Sequence, residues 1–159
     1  LALTCDIEIF TLAHYRSSIE ADAELSPLWK DVFLFHWKEE SQHAILDELE
    51  WRREDAKLSA GERDVAVGDL IDLVGAVDGI LQAQAEADAA YFLRNAGRAF
   101  TAQQQERVGD TILRAYRWQY IVSGVQEARF IDVLKELVTP AQLERIVGAL
   151  GPILAHAGA

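Results

Sequence analysis

The sequence predicts an all-α fold, a bundle of long helices closed by a short C-terminal one, in a single domain over residues 1–159. Only three prolines occur, and strong helix formers fill long segments whose apolar residues recur at three- and four-residue spacing rather than in the alternation of strands. Helix-start signals also stand where those segments begin: Ser26-Pro27, Ser59 with Glu62, Thr101, and Thr139 with Gln142.

The first helix runs from the start of the chain to about Ala21, and "ELSPLW" makes the turn, with Ser26 as N-cap and Pro27 in the first helical position. A second continues to about Arg53. In "KLSAGERD", Ser59 and Glu62 have capping-box spacing, and a third follows to about Asn95, where "RNAGRAFT" breaks it. Thr101 caps a fourth that extends to about Leu137, with "RVGD" at residues 107–110 a candidate internal break. In "TPAQLERIVGALG", Thr139 caps, Pro140 takes the first turn and a glycine stops a short fifth helix.

The net charge of -11 and pI near 4.7, with no lysine or arginine cluster, argue against nucleic acid and anionic membrane as partners. Charge breaks every apolar run short of a membrane span. Cys5 is the only cysteine, and a small buried residue is the reading preferred for it. With no disulfide and no secretory signal, the cytoplasm is the expected compartment. The sequence contains no methionine.

Helical position advances about 100° per residue, so each acid can be assigned a face. Glu8 lines up with Cys5, Leu12, Tyr15 and Ile19, and Glu127 with Tyr116, Tyr120, Ser123, Ile131, Leu134 and Val138. In the third helix Gln84 and Asp88 interrupt the stripe of Leu70, Leu73, Val77, Leu81 and Tyr91. Carboxylates on apolar faces are costly unless paired, hydrogen-bonded or metal-bound.

The stretch "FHWKEESQHAILDELEW", residues 35–51, gathers His36, Glu40, His43, Asp47 and Glu50 within roughly 80° of one another. Alone, that stripe reads equally as a solvated face or a buried seam. Glu40-Ser41-Gln42-His43 carries more weight, because Glu-x-x-His sets a carboxylate and an imidazole one turn apart, where both can hold one cation.

Glu8 followed 40 - 8 = 32 residues later by Glu40-x-x-His43 resembles the ferritin-like carboxylate-bridged di-iron proteins, and His36 before it resembles the branch containing the p-aminobenzoate N-oxygenases. The resemblance rests on the first two helices. It implies a ferritin-like four-helix bundle with a short fifth helix, Glu8 as terminal or bridging carboxylate, Glu40 as bridging carboxylate, His43 as nitrogen ligand and His36 as an additional one. The second half departs from the pattern, because the residue three after Glu127 is Phe130 and the best third-helix stand-in, Asp88, precedes Glu127 by 127 - 88 = 39. A lopsided site, a single metal or a lost site are the options this leaves. The loop of Glu54 to Leu58 is too short for a ferritin-type crossover unless the third helix begins late, and an up-down-up-down bundle is the economical alternative.

The chemical expectation is a site of Glu8, Glu40, His43 and Glu127, with Asp88 and His36 as further candidates, holding one or two iron ions, or manganese, inside the bundle. An oxygen- or redox-linked oxidase or oxygenase acting on a small molecule would follow. The rival expectations are a metal-free bundle serving as a binding or assembly module, and an iron store. A homodimer is compatible with helices of this length. His14, off the Glu8 stripe, is expected to be exposed or locally bonded, and His156 to be solvated.

Overall fold

The computed structural model describes residues 1–158, and these are all-helical, with no strand among them. The elements are α1 (Ala2–His14), a π turn over Tyr15–Glu20, α2 (Pro27–Asp55), α3 (Ala60–Asn95), α4 (Ala102–Arg117), a second π turn over Trp118–Val122, α5 (Ser123–Val125), α6 (Ala128–Leu137) and α7 (Pro140–Gly158). The caps form as the sequence predicts: the Ser26 hydroxyl accepts from the Trp29 amide, and Ser59–Glu62 closes a capping box. Thr101 caps α4, and Thr139 exchanges hydrogen bonds with Gln142.

Three boundaries differ from expectation. The first helix widens into a π turn at Tyr15, where the hydrogen-bond ladder gains a residue and the register of side chains shifts. The expected fourth helix runs unbroken through "RVGD", widens at Trp118–Val122, and stops at Gln126 before α6 restarts with Glu127 as its N-cap. The last helix does not end at its glycine: it passes through Pro152 to Gly158. Leu150 and Ile153, on either side of that proline, pack into the core, and tertiary packing outweighs the local stop signal.

α1 packs along α2, and α3 along α4, while α7 lies against both α3 and α4. α2 and α3 share a short connection with few close backbone approaches, and meet in the same apolar cluster through Ala44 and Val67. One apolar cluster joins Cys5, Ile9 and Leu12 of α1 to Ala44, Val67, Phe130, Leu134 and Ile146, and a second unites Val74, Leu81 and Ile121. Leu70 and Leu150 touch both. The buried pair Asp78–Arg117 ties α3 to α4: Arg117 Nε and Nη2 donate to the two Asp78 oxygens at 2.6 and 2.8 Å, and Gln82 adds a third bond at 2.7 Å.

Candidate metal centre

The seam between α1 and α2 places the site. Ala44 is fully buried on the face of α2 that meets the core, and Glu40, one turn earlier, shares that face. On α1, Glu8 lies one turn from Cys5 and from Leu12, both buried. Packing the two apolar stripes together therefore brings Glu8 to Glu40. One ligand atom each from Glu8, Glu40 and His43 lies within 4.8 Å of the other two.

His43 Nδ1 stands 2.6 Å from Glu40 Oε2, and His36 Nδ1 stands 3.1 Å from Glu40 Oε1. Glu40 thus receives an imidazole on each oxygen. Burial, together with the hydrogen bond and the charge of Glu40, pushes Glu8 up to about 7. Glu40 is held below the usual carboxylate range by the hydrogen bond from Glu8 and by its histidines. His43 is raised by its bond to Glu40. With Glu8 raised and Glu40 lowered, a proton held by the pair resides on Glu8.

The expectation of a site inside the bundle is corrected by exposure: the His36 and His43 side chains are about half exposed, while that of Glu40 is 15% exposed. The group sits at the open edge of the α1–α2 seam, with carboxylates inward and imidazoles outward.

Neither second-half candidate joins it. Glu127 accepts from Arg16 Nη2 at 3.2 Å. The π turn and the break at Gln126 remove the continuous helical phase on which its apolar stripe was drawn. Asp88 accepts from the Tyr116 hydroxyl at 2.5 Å and from Gln84 Nε2 at 2.9 Å. These bonds hold its carboxyl below the usual range. Both acids are satisfied by protein partners. Arg129 Nε donates to Glu48 Oε2 at 2.7 Å.

A cavity of about 350 Å³ opens beside His36, walled by Phe10, Tyr15, Phe33, Trp37 and Tyr120. His14 and Trp37, which also line it, each hold a buried nitrogen without a hydrogen-bond partner. His14 is thus half-buried rather than at the surface. His156 is likewise held, with Nε2 at 2.9 Å from Asp110 Oδ1. Cys5 is fully buried, and burial with the nearby Asp47 and Glu48 charges pushes its thiol up to about 11.

Sequence reasoning missed Asp6, which is 4% exposed, and Arg16 as the partner of Glu127. Asp6 carried a readable signal, since Ile9, Phe10 and Ala13 follow it at three, four and seven residues and make a second apolar face on α1. Arg16 carried none, because the π turn determines where it points. Comparisons with family models, with curated proteins and with solved structures give no match.

Proposed function

We propose that Glu8, Glu40 and His43 hold a single divalent transition metal, iron or manganese, in a ferritin-like helical setting, and that the centre serves oxygen- or redox-linked chemistry on a small molecule. The observation that carries this reading is the convergence of three ligand atoms within 4.8 Å from two separate helices. The donor set fits: the carboxylate pair offers two negative charges and the imidazole a nitrogen to a divalent cation, which displaces the proton the pair holds. Mixed oxygen and nitrogen donors suit iron or manganese rather than thiolate-seeking metals.

The chain's own residues do the following. Glu8 and Glu40 supply negative charge, His43 supplies a nitrogen, and His36 orients Glu40 through its second oxygen. A bound redox metal would supply electron transfer or oxygen activation. The aromatic cavity beside His36 is the place for a substrate. The test is metal content by elemental mass spectrometry on untagged protein after anaerobic ferrous or manganous loading. About one ion per chain, lost in Glu40→Ala and His43→Ala, supports the reading. No ion above the level of those variants removes it.

A second reading, a metal-free assembly module, is favoured by one observation. Leu28, Val32, Phe35, Leu46 and Leu49 are exposed on α2, at intervals of four, three, eleven and three that keep them on one face of the helix. A second copy of this chain is the occupant it predicts. Light scattering at micromolar concentration separates dimer from monomer, and a monomer ends this reading.

A further inference from the structure

A second cavity, about 320 Å³ in volume, lies where α1, α3, α6 and α7 meet the second π turn, between the two apolar clusters. Val74, Ile121, Phe130, Leu134 and Ile146 are among its walls, and all are buried. Asp6 lines the same cavity, is 4% exposed, and its Oδ1 has no hydrogen-bond partner. Lys135 and Tyr120, also in the lining, are exposed.

The fold makes room for this carboxyl. A Cβ on Gly124 would stand 2.2 Å from Asp6 Oδ1 and 2.9 Å from Asp6 Cγ, so only glycine fits against it. A carboxyl buried without a hydrogen-bond partner costs stability even when it keeps its proton, and a ligand head that bonds to it recovers part of that cost. A lone water is a poor answer, because buried water needs two to four polar partners and these walls are apolar. The cavity is separate from the metal group. Asp6 and Glu8 point about 200° apart on α1, and neither Glu8, Glu40, His43 nor His36 lines it.

We propose that this cavity binds a small, mainly aliphatic molecule with one hydrogen-bond donor head, a hydroxyl or an ammonium, which Asp6 accepts. A carboxyl oxygen accepts from a donor head whether or not the group keeps its proton, so a hydroxyl or an ammonium suits it in either state. At about 30 Å³ per heavy atom the volume suits a body of about ten such atoms. The apolar walls hold the body, and Asp6 selects the head.

The full-length chain is titrated with 1-octanol, octylamine and octanoate, with binding followed by calorimetry and by amide chemical shifts. The donor-headed ligands bind up to about tenfold more tightly than octanoate, which is the weight of one hydrogen bond. Octanol against octylamine tells which head is preferred. In Asp6→Leu the preference over octanoate disappears. Should that variant not fold, Val77→Phe fills the cavity with Asp6 intact and abolishes binding of all three. Octanoate binding as tightly as the other two in the parent overturns the proposal, as does failure of all three to bind, or binding that survives Val77→Phe unchanged.

Discussion

Glu8 of α1 and Glu40 of α2 lie 32 residues apart in the chain, and their ligand oxygens come within 4.8 Å of each other and of a His43 nitrogen. Two carboxylates at that distance repel unless a proton or a cation sits between them. The protein answers with a proton on Glu8, raised to about 7, and with imidazoles on both oxygens of Glu40. If a metal takes the proton's place, Glu40→Ala and His43→Ala lose the ion. They also lose the stabilisation it brings, about 2.7 kcal/mol at a metal concentration one hundred times Kd. Glu127→Ala and Asp88→Ala keep it, because those acids bind Arg16 and Tyr116. Metal content and thermal unfolding of the four variants, with and without metal, check this.

The same proton gives a pH signature. Glu8 is raised from 4.5 to about 7 in the folded chain, so its contribution to stability is fully present below about pH 4.5 and is lost as pH rises through about 7. Metal-free protein should therefore lose part of its stability over that window. Metal affinity should rise over the same window, because binding releases the Glu8 proton. Urea unfolding of apo protein at several pH values, and calorimetry in two buffers of different ionisation enthalpy, measure both. A flat metal affinity from pH 5 to 8 would contradict the shared-proton account.

The Asp78–Arg117 pair predicts a large loss from a single change. Asp78 is 5% exposed and takes two bonds from one guanidinium. Arg117→Met leaves that carboxylate with Gln82 alone, at a cost of about 3–5 kcal/mol. Replacing both partners, as in Asp78→Leu with Arg117→Met, should recover most of it. Urea midpoints of the single and double variants decide the point.

Gly124→Ala should destabilise by about 1–3 kcal/mol, because the new methyl would fall 2.2 Å from Asp6 Oδ1. In an Asp6→Ala background the share of that loss due to the carboxyl should vanish, while the share due to the Asp6 backbone oxygen, 2.9 Å from the new methyl, should remain. A double-mutant cycle read by thermal unfolding measures the coupling. Equal losses in both backgrounds would place the strain elsewhere.

What could be read before folding was local. Ser26, Ser59, Thr101 and Thr139 cap because a hydroxyl or its capping-box partner must satisfy the first free amides of a helix, and that chemistry lies within four residues. Glu8, Glu40 and His43 were legible for the same reason: each lies within a turn of a residue that the core takes up. Glu127 failed because helical phase was carried across Trp118–Val122, where the wider turn resets it. Asp88 failed differently: the stripe it was placed on is only partly buried, with Leu73 and Tyr91 exposed, and its partner, Tyr116, comes from another helix. The packing of α3 on α4 and α7 rather than on α2 was out of reach, because a short loop sets proximity at one end only.

Phe130 supplies the last test, because in a symmetric two-metal site a histidine would stand there, three residues after Glu127. Phe130 is instead 4% exposed, in the cluster with Cys5 and Leu134, its ring centroid 5.8 Å from that of Trp51. Glu127, as N-cap of α6, turns to Arg16. Phe130→His would thus put an imidazole among apolar groups, with Asp6 the one acid lining the cavity it would share. The variant should bind no additional metal and lose about 2–4 kcal/mol, in line with emptying and polarising a buried aromatic position. Metal content and urea unfolding of Phe130→His beside the parent settle it. A second ion per chain would show that Glu127 leaves Arg16 for a metal, and would restore the symmetric site.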